Sequence, residues 1–162
     1  GVVVSAGHSG ADFETAAAAL DGPWSSVTHL FNQMSPFHHR SPGLVGAAIL
    51  SDRPCGVIGD GIHADPASVR LAWELLGPER FILVTDAMQG TGLGEGIYIL
   101  GDREVFVGPE GPRIGRAILA GSPLTMNQAV ANLPDWTNAT EAQARACASA
   151  NPARLLEQES GR

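Results

Sequence analysis

Four segments of the chain share one design, an unbroken apolar run that closes on a polar residue: Val2-Val3-Val4-Ser5-Ala6-Gly7-His8, Ser26-Val27-Thr28-His29, Gly56-Val57-Ile58-Gly59-Asp60-Gly61-Ile62-His63 and Phe81-Ile82-Leu83-Val84-Thr85-Asp86. Continuous rather than alternating hydrophobicity fits strands covered on both faces, as in a parallel sheet, and the flanking glycines favour strands over short buried helices. Helical patterns fill most of the gaps. Ala11 to Leu20 is alanine-rich, and Asp65-Pro66-Ala67-Ser68 opens a run through Val69, Leu71, Ala72, Leu75 and Leu76. Asp65 is placed to cap that helix, Pro66 takes its first position, where a missing N–H costs nothing, and Gly77-Pro78 ends it. Strand and helix alternating at this spacing give right-handed βαβ units and a parallel sheet. The polar residues fall at strand C-termini, the rim where a (β/α)₈ barrel gathers its chemistry. The expected architecture is therefore α/β, a partial (β/α)₈ TIM-type barrel.

After Asp86 the pattern changes. Gly90 to Gly96 reads as a mobile glycine-rich loop, and Ile97 to Ile114 as short strands around Gly101-Asp102 and Gly108-Pro109-Glu110-Gly111, a short β-hairpin insertion. Ile118-Leu119-Ala120-Gly121-Ser122 reads as one more barrel strand end, followed by helices over Thr125 to Leu133 and Glu141 to Ala150, with Asn151-Pro152 opening a last helical turn. A whole barrel takes about eight strands and roughly 250 residues. Only about half of that is present in the 162 residues, and Gly161-Arg162 bring no closing element, so part of a larger barrel is expected.

Composition narrows the partners. A net charge of -7 with no basic stripe argues against nucleic acid, whose affinity rests on clustered Lys and Arg. No stretch approaches the roughly 20 apolar residues of a membrane span. Cys55 and Cys147 lack the close pairing of a zinc knuckle or redox motif and read as reduced, buried thiols, which places the chain in the cytoplasm.

The strand ends carry the candidate chemistry. His8 and His29 offer two neutral imidazole nitrogens from neighbouring strands, suited to Zn²⁺ or a similar divalent ion, although a catalytic site takes a third protein ligand. Taken singly, each histidine would more often be a satisfied structural residue; their repetition at strand ends favours a shared role. Asp86, delivered to the rim by an apolar strand, suits a general base, beside the alternative that it caps the following turn. Arg40, after His38 and His39 in the loop Ser35 to Gly43, can pair with an anionic group, its bland alternative being a solvated surface cation. Gly90-Thr91-Gly92-Leu93-Gly94 follows Asp86 without opening a helix, so it does not read as a phosphate cradle.

Together, Gly7-His8-Ser9, Thr28-His29-Leu30-Phe31-Asn32-Gln33-Met34, Gly59-Asp60-Gly61-Ile62-His63, Leu83-Val84-Thr85-Asp86-Ala87 and Leu119-Ala120-Gly121-Ser122-Pro123-Leu124-Thr125-Met126 resemble the N-acetylglucosamine-6-phosphate deacetylases, amidohydrolase barrels of the metal-dependent hydrolase kind. The resemblance implies that residues 1–162 are the C-terminal part of the catalytic barrel, without its N-terminal strands or the family's small β-sandwich. It implies that His8 and His29 ligate the metal, most readily Zn with Fe, Co or Mn as alternatives, and that Asp86 activates water and protonates the departing amine. Asn32, Gln33, Arg40 and the turn from Asp60 to His63 would hold an amino-sugar phosphate, with Leu119, Ala120 and Gly121 lining the site. Where the family often has Asn-Ala, this chain has Asn32-Gln33, a departure that a backbone contact would survive. The family's glutamate ligand lies upstream, so the chain alone is expected to bind metal poorly and to be nearly inactive; the parent is expected to be a homodimer. Two rivals stand beside this reading: a cyclic-amide hydrolase of the dihydroorotase kind, and a non-catalytic assembly module whose exposed strand edges associate.

Overall fold

The computed structural model describes residues 2–115 and 118–160; Gly161-Arg162, where no closing element was expected, lie outside them. Four strands, β1 (Ser5–Ala6), β2 (Ser26–Val27), β3 (Cys55–Ile58) and β4 (Phe81–Val84), form an open parallel sheet in chain order. Their inner residues, among them Val27, Val57, Ile58 and Phe81, are wholly buried, which is why the runs carry no polar alternation. The first strand is shorter than its apolar run: Val2 to Val4 precede it, and only the Val4 carbonyl, accepting from the Ser25 amide, extends the pairing.

A helix follows each of the first three strands. α1 (Phe13–Asp21) starts at Asp12, whose carboxylate accepts from the Thr15 amide, and buries Ala16 and Leu20. α2 (Gly43–Leu50) was not singled out by its sequence, since Leu44, Val45, Ala47 and Ala48 are buried around most of its circumference and leave no polar stripe. α3 (Pro66–Arg80) begins as expected, with the Asp65 side chain accepting from the Ala67 amide. Gly77 breaks its regular run where the sequence expected an end: it sits at φ 72° and ψ 168°, outside helical geometry, and a short second helical segment follows to Arg80. The Arg80 guanidinium donates to the Ala48 and Ile49 carbonyls at the end of α2, locking two helices and the entry to β4 together.

The insertion is larger than a hairpin. β5 (Gly96–Leu100), β6 (Arg103–Gly108), β7 (Gly111–Ile114) and β8 (Ile118–Leu119) form a four-stranded antiparallel sheet. Ile118-Leu119, expected at the end of a barrel strand, pair instead with Arg113 and Ile114. The parallel continuation is confined to an Ala87–Ser122 bridge beside β4. Met88, Val105, Val107 and Ala120 form a second small core beneath this sheet, while Ile97, Ile99 and Phe106 face outward. The glycine-rich stretch is cross-braced: the Thr91 hydroxyl donates to the Ser122 carbonyl and the Tyr98 hydroxyl to the Gly94 carbonyl.

Three helices close the chain. α4 (Met126–Trp136) is capped by Thr125, α5 (Glu141–Ala148) by a Thr140–Gln143 capping box, and α6 (Ala150–Ser160) is a full helix where a single turn was expected. Asn151 is its anchor, its amide donating to the Pro78 and Phe81 carbonyls at 2.7 Å each.

Candidate active site

All four apolar runs deliver their polar ends to the same side of the parallel sheet, where a cavity of about 640 Å³ opens. His8, His29, Asn32, Gln33, His63 and Asp86 line it, and Leu119, Ala120 and Gly121 form part of the opposite wall. The structure thus gathers every site residue expected from the sequence except Arg40 and Asp60. Met88, Leu100, Arg113, Ile114 and Ile118 also line the cavity. The sequence offered no signal for these, because it is the folding of the antiparallel sheet over the rim that brings them there.

Three of the strand ends share an uncommon backbone. His8, His29 and Asp86 have φ of 47°, 25° and 50°, in the left-handed region that side chains other than glycine seldom adopt. Each turns sharply off its strand and aims its side chain back over the rim, a conformation held only because the neighbouring backbone is fixed. Gly7 is part of that fixing: a Cβ there would collide with the Thr28 methyl, so the glycine lets the His8 and His29 turns approach. Gly121, at φ 68°, likewise admits Met88, which would lie 2.8 Å from an added Cβ.

His8 Nε2 and His29 Nε2 face each other at 2.9 Å, with ring centroids 4.8 Å apart. His29 is buried, and its Nδ1 has no hydrogen-bond partner. Two imidazole nitrogens converging this closely at the mouth of a cavity fit one shared proton or one divalent cation, and the donor type suits Zn²⁺ and similar ions. They supply two ligands; among the described residues no group of three or more His, Cys, Asp or Glu side chains is placed to hold a metal. Asp86 stands open to the same cavity.

His63 is held from behind. Its Nδ1 lies 2.7 Å from Asp60 Oδ2, and Asp60 Oδ1 accepts from the Ile62 and His63 amides. The Ser122 hydroxyl, itself accepting from the Leu124 amide, donates to Asp60 Oδ2 at 3.0 Å. Burial opposes ionisation of Asp60, but the His63 ring and the two amides outweigh it and hold the carboxyl below its ordinary value. Arg40 is exposed on its loop, its guanidinium 2.9 Å from His39 Nε2, and does not reach the cavity wall.

No protein-family model matches the chain. A curated protein of Lysinibacillus sphaericus, N-acetylglucosamine-6-phosphate deacetylase, is 44% identical over 157 residues, covering 96% of this chain and 41% of that protein. A solved N-acetylglucosamine-6-phosphate deacetylase from Thermotoga maritima superimposes with a TM-score of 0.91 at 34% identity, over 98% of this chain and 44% of that one. Over that stretch the chain is similar in sequence and in fold to N-acetylglucosamine-6-phosphate deacetylases. A mutant deacetylase from Mycobacterium smegmatis, solved in complex with N-acetyl-D-glucosamine-6-phosphate, superimposes with a TM-score of 0.88 at 36% identity, over 97% of this chain and 43% of that one. An N-acetylgalactosamine-6-phosphate deacetylase of Escherichia coli O157:H7 is 39% identical, over 96% of this chain and 41% of that protein. The chain therefore spans about two fifths of the length of the deacetylases it matches.

Proposed function

We propose that the cavity is part of the active site of an N-acetylglucosamine-6-phosphate deacetylase, which hydrolyses the N-acetyl amide to D-glucosamine 6-phosphate and acetate. The observation that carries this is the convergence of His8 and His29 at 2.9 Å in a cavity that Asp86 also lines. Residues 1–162 would be the C-terminal part of the catalytic (β/α)₈ barrel, a reading supported by four parallel strands in chain order. A homodimeric parent is supported by the outward Ile97, Ile99 and Phe106, and a cytoplasmic one by two free buried cysteines.

His8 and His29 would hold the divalent ion, Zn or alternatively Fe, Co or Mn, together with a ligand from outside this chain. When bound, it would polarise the acetyl carbonyl and acidify water. Asp86 takes a proton from the attacking water as the carbon–oxygen bond forms, and gives it to the amide nitrogen as the carbon–nitrogen bond breaks, so the amine leaves neutral. Asn32, Gln33 and His63 orient the sugar against the Leu119–Gly121 wall, and Arg40 supplies a cation for the phosphate from its exposed loop.

Acetate release tests the reading, using the chain alone and the chain substituted for the matching stretch of the Lysinibacillus sphaericus relative. The chimera is expected to turn over N-acetylglucosamine 6-phosphate, and D86N to slow it by about 10³-fold. A D86N chimera working at the parent rate would overturn the role of Asp86, and turnover by the chain alone would overturn its standing as a partial site. The Escherichia coli relative makes the galactosamine epimer the second substrate to assay; a chimera preferring it by tenfold or more would reassign the sugar.

A further inference from the structure

The Asp60 carboxylate has no capacity left for a ligand. Its Oδ1 takes two backbone amides, and its Oδ2 takes the His63 ring and the Ser122 hydroxyl. The side chains of His63 and Asp60 are 6% and 4% exposed, and Asp60 does not line the cavity. Ser122 is wholly buried and follows directly on the Leu119–Gly121 wall.

We propose that Asp60 and Ser122 are positioning residues that fix His63 as its Nδ1–H tautomer and tie it to the Leu119–Gly121 wall, leaving Nε2 as the nitrogen offered to the cavity. A carboxylate is acceptor-only, so the proton between Nδ1 and Asp60 must belong to the ring. The Ser122 hydroxyl donates to the same Oδ2, which fixes where that oxygen sits, while its lone pair accepts from the Leu124 amide. With its proton on Nδ1, the neutral His63 ring meets a ligand as a hydrogen-bond acceptor at Nε2, suited to a sugar hydroxyl. Ring orientation and wall position are set by one carboxylate, so the two sides of the cavity move together. Asp60, expected from the sequence among the residues that hold the ligand, becomes the support of one.

This rests on the proposed role of His63 in holding substrate, but the tautomer can be read without any substrate. Long-range ¹H–¹⁵N spectra of the ¹⁵N-labelled chain, at alkaline pH where imidazole is neutral, are expected to place the His63 proton on Nδ1. In Asp60→Asn the Oδ2 position becomes an amide that donates, and the proton is expected to move to Nε2. A wild-type ring protonated on Nε2 would overturn the proposal, as would an unchanged tautomer in a well-dispersed D60N spectrum. Ser122→Ala is expected to keep the tautomer but to speed amide exchange at Ser122 and Leu124 at least tenfold; unchanged exchange would remove Ser122 from the device. In titrations with N-acetylglucosamine 6-phosphate, D60N is expected to bind about tenfold more weakly than wild type. Failure of the wild type to bind that sugar would count against the proposed function and leave the tautomer result to decide the inference.

Discussion

Around Asp60 the balance between burial and hydrogen bonding has a consequence for stability that can be given a sign. The folded carboxyl lies below its ordinary value of 3.8, because the His63 ring and two amides stabilise the anion more than burial penalises it. The unfolded chain therefore binds a proton at a higher pH than the folded one. This contribution is full above the ordinary value, shrinks as pH falls below it, and is gone once the folded value is passed. Urea unfolding of wild type and D60N is expected to show a gap in stability that is wide at pH 7 and narrower at pH 2.5; a gap of constant width would contradict the linkage. His8, His29 and Asp86 pose a different residue-scale problem, since their left-handed backbones cost stability that the surrounding strands must supply.

Elements are held in place by side chains that reach back to backbone carbonyls, and Asn151 is the clearest case. It is 4% exposed and donates to two carbonyls where α3 hands over to β4. Replacing it with alanine leaves both acceptors short of a donor, and chemical denaturation of N151A is expected to report a loss of about 2 kcal/mol, with an unchanged value ruling out this anchoring. Much of the element pattern was legible in the sequence, and the exceptions have physical causes. β2, β3 and β4 announced themselves because they are buried nearly throughout, and Asp65-Pro66 announced α3; β1 was read from an apolar run whose Val2 and Ser5 are in fact exposed. α2 did not, because a helix buried around most of its surface has no period to read. Ile118-Leu119 misled because an apolar pair before a polar turn reads the same in a parallel or an antiparallel partner. Nine of the residues proposed for the site came from strand ends, the Asn32-Gln33 pair after His29 and the Leu119–Gly121 motif, which the fold places on one cavity. The Ser122–Asp60 link joins positions 62 residues apart, and nothing local marks such a pairing.

For the molecule as a whole, the two thiols report on the integrity of the core. Burial pushes Cys55 up to about 12 and Cys147 to about 11, and both are buried and unpaired. With so little thiolate at pH 8, neither is expected to react with a thiol-specific disulfide reagent in the folded chain, and both should react in urea. Mass spectrometry over a urea series would show two labels arriving together with unfolding. Label at Cys147 before the main transition would mean that the α5 and α6 end opens independently.

The bridge between Ala87 and Ser122 also bears on how such a site can diversify. The chain leaves the parallel sheet just after Asp86 and returns to its side 35 residues later, its two ends clasped by the Ser122 amide on the Asp86 carbonyl at 2.7 Å. Everything between is an excursion from the strand that carries the aspartate. Arg113, Ile114, Ile118 and Leu119, which wall the cavity, all lie on that excursion. One wall of the cavity is thus carried on the excursion, while His8, His29, His63 and Asp86 stand at the ends of the parallel strands.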